Sequence, residues 1–194
     1  MMVEPLALPE VLLIRPRVFH DDRGHFVETW NVARYRAAGI DLEFAQDNVS
    51  VSHRGVLRGL HAQHPNGQGK LVTVLRGSVY DVAVDVRRGS PRYGQWAGAV
   101  LTGESKTQLW VPPGFLHGFV SLEDHTIFSY KCTALYDAAA EFSVRWDDPS
   151  LAIAWPGMHD ATPFLVAAKD AAAPLLAEVP RERLPLFESP QVPR

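Results

Sequence analysis

The chain breaks into short runs rich in β-branched and aromatic residues, each closed by Gly, Pro or Asp. Such punctuation argues for an antiparallel β fold and against long helices. Residues 24–30 alternate, with Phe26, Glu28 and Trp30 expected on one face. Residues 46–52, 70–75, 78–86, 95–101, 108–111, 118–122, 126–133 and 142–146 continue the series. The runs on either side of Arg76-Gly77 carry a hairpin signal. Residues 31–38 read as a short helix stopped by Gly39, and the Ala- and Leu-rich stretch 169–178 as a helix that Pro174 must break or kink. Many short strands at regular spacing suit a closed sandwich or barrel. An eight-strand jelly roll is the expectation, because its mouth holds one small ligand. A small β-sandwich that only binds is the architectural rival.

At 194 residues the chain fits one domain, expected over residues 1–179, with a Pro-rich extended tail over 180–194. A net charge of -3 gives no global attraction to nucleic acid or to an anionic membrane, so neither is an expected partner and any phosphate site must be built locally. Cys132 is the single cysteine, which allows no internal disulfide and suits a reducing compartment. The first residues lack a basic stretch leading into an apolar run, and no stretch has the length of a membrane span. A cytoplasmic protein is expected.

The segment Gly55-Val56-Leu57-Arg58-Gly59-Leu60-His61-Ala62-Gln63-His64 invites a metal reading, as does Pro112-Pro113-Gly114-Phe115-Leu116-His117. In metal-binding cupins the first box places His-x-His after a Gly and five residues, with a Glu following. Here Gln63 stands at the second His, no Glu follows before Arg76-Gly77, and Lys70 lies in that interval. A metal needs three or four convergent ligands, and an ammonium repels a divalent cation. No metal and no other cofactor are expected.

Further segments follow in order: Asp22-Arg23-Gly24, Gln46-Asp47-Asn48-Val49-Ser50, Gln68-Gly69-Lys70-Leu71-Val72, Val79-Tyr80-Asp81, Ser90-Pro91-Arg92-Tyr93-Gly94, Gln108-Leu109-Trp110-Val111-Pro112 and Lys169-Asp170-Ala171. The ordered set resembles the dTDP-4-dehydrorhamnose 3,5-epimerase family from about Pro9 to Leu176. The resemblance implies a mainly β, cupin-like jelly-roll barrel with a few short helices. It implies epimerisation of dTDP-4-dehydro-6-deoxy-D-glucose at C3 and C5 to dTDP-4-dehydro-L-rhamnose. That chemistry needs a base, a stabiliser for the enolate oxygen and an acid on the opposite face.

By resemblance His61 is the base, since an imidazole exchanges protons near neutrality, and Asp170 orients it. Lys70 faces the keto oxygen, and Tyr130 is the acid, a phenol being protonated below a pKa of about 10. Arg23 and Arg58 meet the diphosphate through their planar forks. Tyr136 stacks on the thymine, while Glu28, Gln46, Asp47, Asn48, His117, Glu141 and Lys169 line the sugar and nucleotide site. The family acts as a dimer that exchanges an N-terminal strand, so Arg23 and Glu28 are expected to serve a neighbour's site. Ala62, His25, His64 and Ala134-Leu135 depart from the family pattern and leave the sugar and the number of inverted carbons open. The nearest alternative is inversion at C3 alone; a metal-dependent cupin and a non-catalytic sugar-nucleotide binding module are the rivals from other classes.

Overall fold

The computed structural model describes residues 1–157 and 164–187. The strands are β1 (Met2–Pro5), β2 (Leu12–Arg15), β3 (Val18–Asp21), β4 (Gly24–Val27), β5 (Gln46–Ser52), β6 (Val56–Gln63) and β7 (Lys70–Arg76). They continue with β8 (Ser78–Asp85), β9 (Trp96–Thr102), β10 (Gln108–Val111), β11 (Phe115–Ser121), β12 (Thr126–Cys132), β13 (Glu141–Ser143) and β14 (Leu165–Val166). Two short helices, α1 (Val32–Ala37) and α2 (Ala168–Ala171), accompany them. One sheet runs β1-β2-β10-β7-β12-β5; the other runs β13-β6-β11-β8-β9, with β14 alongside β6. The mainly β jelly-roll expectation holds.

From β5 to β12 the chain passes back and forth between the sheets, and this corrects one local expectation. Although Arg76-Gly77 carries a hairpin signal, β7 and β8 do not pair: β7 lies between β10 and β12, and β8 between β11 and β9. Gly77, at φ 77°, turns a corner instead. A Cβ there would run into Thr126, so the turn is packed against the start of β12, the strand beside β7 in the first sheet. The continuous apolar run on either side fits two buried strands as well as it fits a hairpin.

Three apolar clusters hold the layers. Val72, Val74, Leu101, Leu109, Phe115, Phe119 and Phe128 fill the space between the sheets. Leu57, Leu60, Val84, Leu116 and Val120 face the other way, under Leu151, Ile153, Trp155, Leu176, Val179 and Leu184. Ile14, Leu71 and Trp110 lie beneath Tyr35 and Ile40. The helix α1 stops where Gly39 predicts, at φ 90°, and its start is capped by the Asn31 side chain, which accepts from the Arg34 amide at 3.2 Å. The expected strand over 24–30 ends at Val27. Trp30 turns in against Tyr35 and Phe44, with centroids 4.6 Å from each, whereas Phe26 stays exposed on the β3–β4 hairpin. Pro174 does break the second helical stretch, leaving α2 and a 3-10 turn at Leu176–Glu178.

Part of the stretch read as an extended tail is packed. Arg181–Arg183 form a 3-10 turn, Leu184 is buried, and Arg88 and Leu186 pair in a parallel bridge. Residues 188–194 lie outside the described residues.

One irregularity positions everything that follows. Between β6 and β11, His61 pairs with His117 and Arg58 with Phe119, so three steps on β6 oppose two on β11. This is a bulge, and it lets Arg58 and His61 face the same side of the sheet despite their odd spacing. Gly59, at φ 124°, sits at the extra residue; a Cβ there would lie 2.5 Å from Gly118 Cα and 2.9 Å from the His117 carbonyl. Gly59→Ala is therefore expected to cost about 2 kcal/mol or more, from backbone strain and overpacking together. Urea unfolding measures this; a midpoint equal to that of the parent chain would show that the sheet absorbs the methyl without moving.

Candidate active site

The bulged strand forms one wall of a cavity of about 560 Å3 between the sheets. His61 reaches it from β6 and His117 from β11, both in the second sheet. From the first sheet come Gln46, Asn48 and Ser50 of β5, Lys70 of β7, and Phe128 and Tyr130 of β12. Their alternate spacing on β5 and β12 is the period-two rule. Gln68, Tyr136, Glu141, Lys169 and Asp170 complete the polar lining.

His61 Nε2 lies 2.7 Å from Asp170 Oδ1, although the two residues are 109 positions apart. The other carboxylate oxygen accepts from the Gly59 amide at 3.3 Å. The bulge thus supplies both the histidine and an N–H that holds its partner. Burial alone would raise the Asp170 carboxyl, but the hydrogen bond and charge of His61, the Gly59 amide and Lys169 outweigh it and hold it below the ordinary 3.8. An ionised carboxylate only accepts, so Nε2 carries the proton and Nδ1 is left as the basic nitrogen.

A second pair lies deeper. His117 Nε2 is 2.7 Å from Asp81 Oδ1, and both side chains are buried. Burial pushes the His117 imidazole below 6.5, against the pull of Asp81 and with the charges of Lys70 and His61 acting the same way. The ring stacks on Phe128 at 6.2 Å, and Phe128 on Phe119 at 4.0 Å. Asp81 Oδ2 has no hydrogen-bond partner among the described residues. Burial pushes the Lys70 ammonium below 10.5, opposed by Cys132, Asp81 and Glu141. It pushes the Tyr130 phenol above 10.0, with Cys132 adding and Arg58 opposing.

At the mouth, Tyr136 donates its hydroxyl to Glu141 at 3.2 Å and its amide to Gln46 Oε1 at 2.8 Å. Gln46 donates to Asn48 at 3.0 Å, and Lys169 Nζ stands 3.5 Å from Glu141. Arg58 donates to Ser52 Oγ at 3.3 Å.

Eleven residues singled out from the sequence therefore line one cavity: Gln46, Asn48, Arg58, His61, Lys70, His117, Tyr130, Tyr136, Glu141, Lys169 and Asp170. Three do not. Asp47 points to the opposite face of β5, where Lys131 pairs with it at 2.8 Å; its neighbours Gln46 and Asn48 hold the inward positions. Arg23 pairs with Asp21 on the exposed hairpin, and Glu28 with Arg34. Asp81, Ser50, Gln68, Phe119 and Phe128 were not anticipated as site residues. A buried acid inside the apolar run 79–86 was the available signal for Asp81. Parity with Asn48 and Tyr130 was the signal for Ser50 and Phe128. Among the described residues, no group of three or more His, Cys, Asp or Glu side chains is arranged to hold a metal ion. No helix among them is long and apolar enough to cross a membrane.

The model of the family described as dTDP-4-dehydrorhamnose 3,5-epimerase matches residues 5–178. The enzyme of that name from Pseudomonas aeruginosa is 51% identical over 166 residues, covering 85% of this chain and 90% of that protein. The one from Salmonella typhimurium is 48% identical over 178 residues, covering 91% and 96%. Among solved structures, the 3,5-epimerase from Legionella pneumophila Philadelphia 1 in complex with dTDP-4-keto-L-rhamnose superposes with a TM-score of 0.93. It is 46% identical and covers 97% of this chain and 99% of that one. With an imidazole–carboxylate pair, a lysine and a tyrosine around one cavity, and with likeness over nearly the whole length, the chain belongs to the dTDP-4-dehydrorhamnose 3,5-epimerase family.

Proposed function

We propose that this isomerase inverts C3 and C5 of dTDP-4-dehydro-6-deoxy-D-glucose by proton transfer between the two walls of its cavity. A proton beside a ketone becomes removable once the enolate oxygen is stabilised. Nδ1 of His61 takes that proton, and Asp170 steadies the imidazolium that forms. The Lys70 ammonium faces the keto oxygen, with the uncharged His117 beside it. Tyr130 returns a proton from the other sheet. The observation that supports this reading is the His61–Asp170 pair on one sheet facing Lys70 and Tyr130 on the other, around one cavity. A donor and an acceptor on opposite walls address opposite faces of a sugar ring, which is what inversion requires. No cofactor is needed, because each proton has a protein donor or acceptor.

Arg58 takes the diphosphate at the mouth, Tyr136 stacks on the thymine, and Gln46, Asn48, Glu141 and Lys169 bind the remaining polar groups. Arg23 and Glu28 stand away from this cavity on or beside the hairpin that exposes Phe19 and Phe26. They reach the site of a second copy if the hairpin crosses a dimer interface. The enzyme works in the cytoplasm on this reading, to which its one free, buried cysteine is suited.

Incubation with dTDP-4-dehydro-6-deoxy-D-glucose in D2O is expected to place deuterium at C3 and C5 by NMR, and His61→Ala to slow exchange at both by about 10²–10⁴-fold. Deuterium at C3 alone would make this a mono-epimerase, and undiminished exchange in His61→Ala would exclude His61 as the base. On the alkaline side kcat/KM is expected to fall before pH 10.5 as Lys70, whose burial disfavours the ammonium, loses its proton. Lys70→Ala should lower kcat about 10²–10³-fold and remove that limb; the same limb in the variant would assign it to another group. Activity should survive dialysis against a chelator, and loss restored by a divalent ion would end the cofactor-free reading. Full activity in a diluted monomer would exclude the shared site.

A further inference from the structure

The strand β13 is three residues long and, among the described residues, pairs with β6 alone. The carbonyl of Ala139, in the turn that leads into β13, and that of Glu141, its first residue, are both held by one arginine. That arginine is Arg183. Its Nη1 donates to the Ala139 carbonyl at 2.9 Å and its Nη2 to the Glu141 carbonyl at 2.5 Å. The fork spans the two acceptors, which a lysine ammonium cannot do with the same geometry.

Both ends of this clamp are anchored. On the arginine's side, Val179 and Leu184 are buried in the apolar layer over the second sheet. Arg88 donates its amide to the Pro185 carbonyl at 2.8 Å and accepts from Phe187 at 2.9 Å. On the other side, the Ala140 and Glu141 amides close a turn on the Asp137 carbonyl, at 3.1 and 3.0 Å. The clamped residue Glu141 then holds the Tyr136 hydroxyl and stands beside Lys169.

We infer that Arg183 is a positioning residue for the nucleotide end of the cavity. It fixes residues 136–141 so that Tyr136 and Glu141 meet the ligand already ordered, and it leaves proton transfer at His61 alone. A preordered segment binds more tightly because less conformational entropy is lost on binding. His61 is held separately, by Asp170 and by the β6–β11 register. The inference rests on the proposed seat of the thymine at Tyr136.

The test measures dTDP binding by calorimetry, steady-state kinetics, and thermal melting for Arg183→Ala, Arg183→Lys, Tyr136→Ala and the double variant Arg183→Ala/Tyr136→Ala. Arg183→Ala is expected to raise Kd for dTDP and KM for the dTDP-sugar about five- to twentyfold with kcat within about twofold. Arg183→Lys should lose less in the same direction, and the double variant should bind no worse than Tyr136→Ala. If Tyr136→Ala weakens dTDP binding but Arg183→Ala and Arg183→Lys do not, the seat of the thymine stands and the inference falls. If Tyr136→Ala binds dTDP like the parent chain, the seat itself is wrong and the inference falls with it. Losses that simply multiply in the double variant, or a lower melting temperature with unchanged Kd, would overturn positioning in favour of a general structural role.

Discussion

The site depends on one extra residue in β6. Without the bulge at Gly59, Arg58 and His61 would face opposite sides of the sheet, because strand side chains alternate. With it, both face the cavity, and the amide released from the ladder donates to Asp170. The bulge exists only because Gly59 and Gly118 approach more closely than any side chain allows. A single steric contact between two glycines thus sets the direction of the proposed base, the position of its carboxylate partner and the pairing of His61 with His117.

Around that contact the barrel assembles charges that the interior would otherwise exclude. A buried ionised group is costly unless it is paired or hydrogen-bonded. Asp170 meets this condition through His61 and Gly59, and Asp81 in part through His117. Lys70 has no carboxylate within salt-bridge distance among the described residues, and its burial favours loss of its proton. Its charge would gain most when an oxyanion develops next to it, so the cavity suits an enolate better than a ketone. Tyr130 shows the complementary effect: burial favours the protonated phenol, which is the form that can donate.

The segments beyond the barrel complete the site from outside. After β14 the chain enters α2, which carries Lys169 and Asp170, and the Leu176 amide donates to buried Asp148 at 2.6 Å. The chain then runs past the start of β13, where Arg183 holds the Ala139 and Glu141 carbonyls. This region therefore holds the proton-transfer partner at one point and the wall of the cavity mouth at another. Hydrophobic burial of Leu176, Val179 and Leu184 keeps it in place.

The sequence by itself determined nine of the fourteen strands among the described residues, the short helix stopped by Gly39, the break at Pro174, and eleven residues of the cavity. These follow from local rules, namely alternation, the glycine stop and the missing proline N–H, together with an ordered set of motifs that resembles one family. Only the tertiary structure decided which strands pair, because an apolar run next to a glycine is the same signal for a corner as for a hairpin. It also decided parity. Asp47 sits in the same motif as Gln46 and Asn48 yet faces the other side of β5, and β6 was hard to read as a strand because its bulge breaks the alternation. Asp81 with His117, and Asp170 with His61, are pairs of residues remote in sequence, and only the closing of the two sheets brings them within hydrogen-bond reach.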